Sequence, residues 1–111
     1  MSRDDAYLVD ILESARAAIE YARGKSWDKF KKDSLVQDAV VRRLEIIGEA
    51  SGRVSVSTQK KYPSLPWQAM KGTRNRVIHE YDSIELDIIW DIVQNDLPFL
   101  IGELEKIIPS E

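Results

Sequence analysis

The first twenty or so residues alternate apolar and polar positions at the spacing of an amphipathic α-helix. Apolar side chains recur every three or four residues, which predicts a helix from about Asp4 to Arg23 with one buried stripe. Ser2 and Asp5 could cap its start, and Gly24 suits its end. The predicted stripe consists of Leu8, Ile11, Leu12, Ala15, Ala18, Ile19 and Ala22.

A second amphipathic segment spans residues 34–51. Ser34 and Gln37 resemble a capping box at its start, and Gly52 is placed to end it or to loosen its last turn. The predicted buried stripe consists of Val36, Ala39, Val40, Leu44, Ile47 and Ala50. We expect the two long helices to pack antiparallel, with no β-sheet in the chain.

The second half of the chain predicts two more helices. Pro66 suits the first position of a third helix that runs to about Glu80, because a proline there loses no hydrogen bond. Asp82 and Glu85 resemble a capping box for a fourth helix, which Pro98 should kink or interrupt. The predicted packing residues are Trp67, Met70, Val77 and Ile78 in the third helix, and Ile84, Ile88, Ile89, Ile92, Val93, Phe99, Leu100, Leu104, Ile107 and Ile108 in the fourth.

Two connections complete the pattern. Residues 25–32 form a short polar link in which Trp27 and Phe30 are expected to plug the core, and Trp90 is likewise assigned to packing. Residues 54–65 are the longest irregular candidate, with room for a turn or two of helix. The whole predicts an all-α fold, a four- or five-helix bundle in a single domain over residues 1–111.

Composition narrows the function classes. The chain has no cysteine, which excludes disulfides and thiolate metal sites, and its single histidine excludes a paired-histidine motif. It shows neither a secretory signal nor an apolar run long enough for a membrane span, so a cytoplasmic location is expected. We expect no metal and no cofactor.

Charge is unevenly distributed along the chain. The formal net charge is −3, yet residues 53–76 carry only basic charges, and residues 82–111 carry eight acids against Lys106 alone. A purely basic stretch can attract nucleic acid despite the overall negative charge. Alternatively, the basic stretch could face the acidic last helix of its own fold.

The candidate chemistry lies at the end of the third helix, at Arg74, Asn75, His79 and Tyr81. Histidine transfers protons near neutral pH, and arginine offers a planar charged fork for phosphate. Five residues separate Arg74 from His79, which places them about 140° apart on a regular helix. Either the helix ends irregularly near His79, or the two residues act from opposite copies of a dimer.

These residues and their surroundings resemble a known family. The pattern Arg74-Asn75-x-x-x-His79-x-Tyr81 is similar to the R-x4-H-x-Y motif of the HepT-like branch of the HEPN superfamily. The segment 41–50, VRRLEIIGEA, resembles the family's second long helix, and Tyr62-Pro63 together with 66–72, PWQAMKG, resembles its approach to the motif. The resemblance covers most of the chain.

The resemblance implies a HEPN-type up-and-down bundle that forms a homodimer and acts as a metal-independent endoribonuclease toxin. It implies Arg74 and His79 as catalytic residues, and an MntA-type nucleotidyltransferase antitoxin that transfers AMP to Tyr81. Asn75, Lys71 and Arg76 are then candidates to support the site or to bind RNA phosphates. No position of the motif departs from the family pattern.

Other interpretations of the same residues stay open at this point. The chain could be a non-catalytic helical subunit that presents Tyr81 or a nucleotide to a nucleotidyltransferase, an alternative that the net charge of −3 slightly favours. It could also be a purely structural dimerisation module. In such a module the motif would only brace helix ends, and Arg74 would form a salt bridge with an acid of the last helix.

Overall fold

The computed structural model describes residues 2–77 and 85–108, and for residues 74–77 it describes the backbone alone. Within these ranges every regular element is helical, which confirms the all-α prediction. The helices are α1 (Arg3–Ala22), α2 (Trp27–Phe30), α3 (Ser34–Arg53), α4 (Val56–Lys61), α5 (Trp67–Val77), α6 (Leu86–Asp91) and α7 (Leu97–Ile107), with a π-helical turn (Ile92–Asp96) between α6 and α7.

The two long helices, α1 and α3, run antiparallel, as predicted. Asp4 at the start of α1 accepts hydrogen bonds from Ser55 and Thr58, which lie just beyond the end of α3. At the opposite end, Lys25 and Asp33 form an ion pair at 3.1 Å across the link between the helices. The predicted stripes are buried at most positions, and Ile19, Val36 and Ala39 are half-buried at their edges.

The ends of α1 follow the predicted capping pattern. Ser2 and Asp5 form a reciprocal capping box, in which the Ser2 hydroxyl accepts from the Asp5 N–H at 3.1 Å. Gly24 has a φ of 75°, the left-handed conformation that glycine adopts without steric cost. The chain therefore turns directly after the helix.

The predicted cap of α3 is wrong by one residue. The N-cap is Asp33, whose Oδ1 accepts from the Val36 N–H at 3.1 Å, and Ser34 is the first helical residue. Gln37 does not close a capping box, because its side-chain Nε2 donates to the Phe30 carbonyl at 2.9 Å instead. The helix also continues through Gly52, so that glycine does not end it.

Residues 54–65, expected to be largely irregular, contain the short helix α4 between α3 and α5. Ser55 caps α4 by accepting from the Thr58 N–H at 3.3 Å. The Asp4 carboxylate binds the same residues, and the Ser55 hydroxyl, the Thr58 hydroxyl and the Ser55 N–H lower the pKa of Asp4. This contact ties α4 to the start of α1.

Aromatic residues seal the core as predicted. Phe30 is fully buried, and its ring lies 5.1 Å from that of Trp90, which in turn lies 6.1 Å from Trp27. Trp67 and Met70 are buried as well, which confirms their assignment to packing.

Phe99 is a correction to the predicted core. Its side chain is 55% exposed, although Leu100 and Leu104 of the same helix are buried as expected. Leu97, which the pattern did not single out, takes a buried position in its place. The reason is the change in helical register that precedes α7.

That change of register is the π-helical turn, which confirms the predicted disturbance near Pro98. Proline lacks the N–H that would bind the carbonyl four residues earlier, and its ring crowds that carbonyl. The helix widens instead, and the Leu97 N–H donates to the Ile92 carbonyl, five residues back. The extra residue in this turn rotates the side chains of α7 about the helix axis relative to those of α6.

No helix within the described ranges is long and apolar enough to cross a membrane.

Candidate functional site

Helix α5 carries the part of the predicted site that the structure describes. It begins at Trp67, one residue later than predicted, and the Pro66 carbonyl accepts from the Met70 N–H at 2.9 Å. Lys71, Arg74, Asn75 and Arg76 all lie within it. His79 and Tyr81 lie outside the described residues, as do the predicted end of this helix near Glu80 and the predicted cap at Asp82.

A close contact with α3 sets the position of α5. Gly48 lies against the backbone of α5, where a Cβ atom added to it would stand 3.3 Å from the Met70 carbonyl oxygen. Any larger residue would therefore have to push the two helices apart. The absence of a side chain at position 48 lets the helix that carries the motif pack closely on the core.

Lys71 is the one predicted site residue whose side chain is described. It is exposed, and its Nζ donates to the Gln59 Oε1 of α4 at 3.0 Å. The contact joins α4 to the face of α5 that bears the motif. Sequence reasoning did not identify Gln59, because nothing in its spacing relates it to a residue twelve positions later.

The helical register groups some of the predicted residues and separates others. At 100° per residue, positions 71, 74 and 75 of α5 lie within about 100° of one another. Position 76 lies about 160° from position 74 and about 140° from position 71. The backbone therefore brings Lys71, Arg74 and Asn75 to one side of the helix and places Arg76 on the other.

Position 74 also borders the packed side of α5. It follows buried Trp67 by seven residues and buried Met70 by four, so its Cα lies within about 40° of both around the helix axis. Position 74 therefore lies at the border between the packed and the outer side of α5. A permanently charged residue is seldom found in such a sector without a partner or a ligand.

An open apolar groove runs along the same border. It encloses about 210 Å³ between α3, α5, the π-helical turn and α7. Leu44, Met70, Thr73 and Leu100 line its floor, and the exposed Phe99 stands at its edge. The groove was not predicted from the sequence, because the π-helical turn that exposes Phe99 changes the regular spacing.

No group of three or more His, Asp or Glu side chains in the described part of the chain could hold a metal ion. The described portion of the site thus consists of one lysine that donates to Gln59 and the backbone positions of an arginine and an asparagine, while the groove lies on the side of α5 that faces away from position 71. Lysine and arginine on one side of a helix are groups that bind phosphate.

Comparison with known proteins gives a consistent result. Residues 11–107 match the sequence model of the family described as ribonuclease HepT-like. A protein of Methanocaldococcus jannaschii provisionally assigned as an RNase is 44% identical over 103 residues, which cover 93% of this chain and 85% of the relative.

Two further relatives extend this similarity. A second provisionally assigned RNase of that organism is 41% identical over 109 residues, covering 96% of this chain and all of the relative. A protein of Thermococcus cleftensis provisionally named ribonuclease HepT is 37% identical over 101 residues, covering 91% of this chain and 92% of the relative. No solved structure matches the chain with comparable significance.

Proposed function

Because this chain belongs to the HepT-like ribonuclease family, we propose that it is a metal-independent endoribonuclease, the toxin of a toxin–antitoxin pair acting in the cytoplasm. The observation that carries the proposal is the grouping of Lys71, Arg74 and Asn75 on one side of α5, with Lys71 held by Gln59. His79 and Tyr81 complete the motif in the sequence.

The proposed chemistry uses the substrate's own nucleophile. The 2′-hydroxyl oxygen attacks the adjacent phosphorus, the bond from phosphorus to the 5′ oxygen breaks, and a 2′,3′-cyclic phosphate forms. His79 accepts the proton of the 2′-hydroxyl or donates one to the leaving 5′ oxygen. Arg74 stabilises the charge that builds on the phosphate oxygens, and Asn75 orients the imidazole or the phosphate.

The chain's single histidine leaves one of the two proton transfers to another group. Either water performs it, or His79 of the partner subunit does so in a composite site. The second possibility agrees with the angular separation of Arg74 and His79 on a regular helix, which two chains resolve more easily than one.

The direct test is to incubate the purified chain with a single-stranded RNA in EDTA. We expect cleavage that EDTA leaves unchanged, with one product ending in a 2′,3′-cyclic phosphate. If the chain binds RNA and its nucleotidyltransferase partner but never cleaves, the non-catalytic subunit is the better description. Cleavage that stops with EDTA would exclude the proposed mechanism.

The same proposal includes a homodimer, which the apolar groove supports. Phe99 stands exposed at the edge of a groove formed by apolar side chains, including Leu44 and Met70. An exposed aromatic beside an open apolar groove forms a self-complementary patch, as a two-fold interface requires. Because position 74 follows the groove residue Met70 by one helical turn, two chains joined here would bring their motifs closer together.

Phe99→Glu is therefore expected to convert the dimer into a monomer and to lower RNA cleavage in parallel. The added carboxylate would lose its hydration at the interface without a partner charge, which disfavours association. Light scattering combined with size-exclusion chromatography measures the change.

The matched control is Leu35→Glu, at a side chain that is 79% exposed. Leu35 lies nine residues, or about 13.5 Å, along α3 from the groove residue Leu44. A monomeric wild type, or a Phe99→Glu dimer, would contradict the proposed interface.

The proposal also includes inactivation by AMP transfer to Tyr81. The Tyr81 hydroxyl oxygen would attack the α-phosphate of ATP held by the nucleotidyltransferase, and pyrophosphate would leave. The first AMP thereby adds a phosphodiester with one negative charge and a bulky base two residues from His79. That charge would pair with Arg74 and occupy the position of an RNA phosphate. Modification should therefore block RNA binding without unfolding the chain.

Tyr81→Phe is expected to retain cleavage activity but to escape the nucleotidyltransferase, since it removes the accepting hydroxyl. Cells that express this variant should be poisoned even when the antitoxin is present. Mass spectrometry of the co-expressed wild-type pair should show whole AMP increments that map to Tyr81. If the co-expressed chain stays unmodified and Tyr81→Phe is still neutralised, inhibition must come from complex formation alone.

A further inference from the structure

Three lysines lie in or next to the two segments that the Gln59–Lys71 contact joins. Lys60 and Lys61 form the last turn of α4, and Lys71 of α5 contacts α4 through Gln59, the residue before Lys60. All three lysines are exposed. We call Lys60, Lys61 and Lys71 the α4 lysine cluster.

Two of these lysines have positions set by neighbouring side chains. The Lys71 Nζ donates to Gln59 at 3.0 Å, and the Lys61 Nζ lies 5.4 Å from the centre of the Tyr62 ring. The backbone at Tyr62 is itself anchored, since its carbonyl accepts from the Nε1 of buried Trp67 at 3.0 Å. Positioning of this kind reduces the entropy that a ligand must remove on binding.

The α4 lysine cluster has no acidic ion-pair partner in the described part of the chain. The carboxylate that hydrogen-bonds to the α4 region is Asp4, at the opposite end of that helix, where Ser55 and Thr58 bind it. Within the described residues, the three lysines of the cluster thus form no ion pair with the acidic last helix.

The cluster adjoins the motif directly. Lys71 precedes Arg74 by three residues and Asn75 by four, so these positions are neighbours on the surface of α5. The Gln59 contact then extends the basic surface from α5 onto the end of α4. A polyanion bound at Arg74 would meet the α4 lysine cluster next along its length.

We infer that the α4 lysine cluster binds backbone phosphates of the RNA on one side of the cleaved bond, as a subsite that extends from Lys71 at the cleavage site onto Lys60 and Lys61 of α4. Lysine binds phosphate as a point charge without reading the base, so the subsite would contribute affinity and register but no sequence preference. The inference rests on the proposed function, because it assumes that RNA is the substrate held at Arg74.

The test measures binding of a fluorescein-labelled single-stranded RNA whose 2′-hydroxyls are methylated, so that the proposed attack cannot occur. Fluorescence anisotropy would be recorded over a series of salt concentrations for the wild type and for the double variant Lys60→Gln/Lys61→Gln. Glutamine keeps helix propensity close to that of lysine, and both positions are exposed, so the fold should be retained. Thermal melts would check this.

Each phosphate of a single strand that the protein neutralises contributes about 0.7 to the slope of log Kd against log salt. The double variant would neutralise two fewer phosphates, so its slope should be smaller by about 1.4. Between 1 M and 0.1 M salt, the ratio of its Kd to the wild-type Kd should therefore rise about 25-fold. The wild-type slope supplies the reference in the same experiment.

The matched control is Lys29→Gln/Lys32→Gln. It also removes two exposed positive charges, but at the start of α3 rather than beyond its end. The 20 residues of α3 separate the two sites by about 30 Å. This control should bind RNA like the wild type.

The outcomes separate the inference from the function on which it rests. If the wild type cleaves unmodified RNA but both double variants keep the wild-type slope, the subsite is wrong and the ribonuclease proposal stands. Equal reductions in slope in both double variants would show a general charge effect and would also overturn the subsite. A wild type that neither cleaves RNA nor binds the methylated strand would end both proposals.

Discussion

His79→Ala is expected to lower the rate of RNA cleavage by about 10²–10⁴-fold, the usual contribution of a general acid or base. The effect should appear in kcat, because proton transfer is needed in the transition state rather than for binding. His79 is the only histidine of the chain, so no other imidazole can replace it within one subunit.

Arg74→Ala belongs to the same prediction and should lower cleavage by about 10²–10³-fold, since it removes the group that stabilises charge on the phosphate. Arg74→Lys keeps the charge but loses the planar fork, so it should recover only part of the activity. Arg42→Ala is the matched control, because Arg42 is an exposed arginine of α3 outside the proposed site.

End-labelled RNA and single-turnover kinetics would measure these rates, and thermal melts would show whether each variant remains folded. Mixing inactive His79→Ala with inactive Arg74→Ala adds a sharper measurement. If the site is composite across the dimer, mixed dimers should recover part of the activity, because one of the two sites keeps both residues. Cleavage that survives His79→Ala at the wild-type rate would remove the proposed mechanism.

Gly48→Val is expected to destabilise the fold by about 1–3 kcal/mol and to lower cleavage by about 10²-fold in the molecules that remain folded. A Cβ at position 48 would stand 3.3 Å from the Met70 carbonyl, and the branched valine adds two more carbons beyond it. The backbone of α5 must therefore move away from α3, and the motif moves with it.

Gly52→Val provides the matched control on the same helix. A Cβ at position 52 meets nothing within 4 Å, so this variant carries the helix-propensity change without the crowding. Denaturant unfolding gives the free energy of unfolding of each variant, and the difference between the two values measures the effect of the close contact. Equal stability and equal activity of the two variants would show that the approach of α3 to α5 does not position the site.

Much of the fold could be predicted from local pattern alone. The apolar stripes of α1 and α3, the capping box at Ser2 and the turn at Gly24 depend on neighbours within a few residues, so the sequence contains the information directly. The same holds for the disturbance near Pro98, because a missing N–H affects only its own helix. The motif stood out because it holds the chain's only histidine among polar groups, and the family comparison agrees with the resemblance that these residues suggested.

The start of α3 depended on which of several nearby polar groups formed each hydrogen bond. Both Ser34 and Asp33 offer an N-cap oxygen, and the structure uses Asp33, which also pairs with Lys25. Gln37 was available for a capping box but binds the Phe30 carbonyl from the preceding link. Local propensity identifies the candidates for such contacts, while the path of the incoming chain selects among them.

The sequence by itself determined the extent of the long helices α1 and α3 to within a few residues, the apolar stripe of each, and where the positive charge and the motif lie along the chain. Only the tertiary structure decided that Gly48 meets the backbone of α5, that Gln59 holds Lys71, and that Phe99 stands exposed beside a groove. The physical reason is that periodicity describes the direction in which a side chain leaves its own helix. It contains no information about which distant element lies there, because that depends on how all the helices pack together.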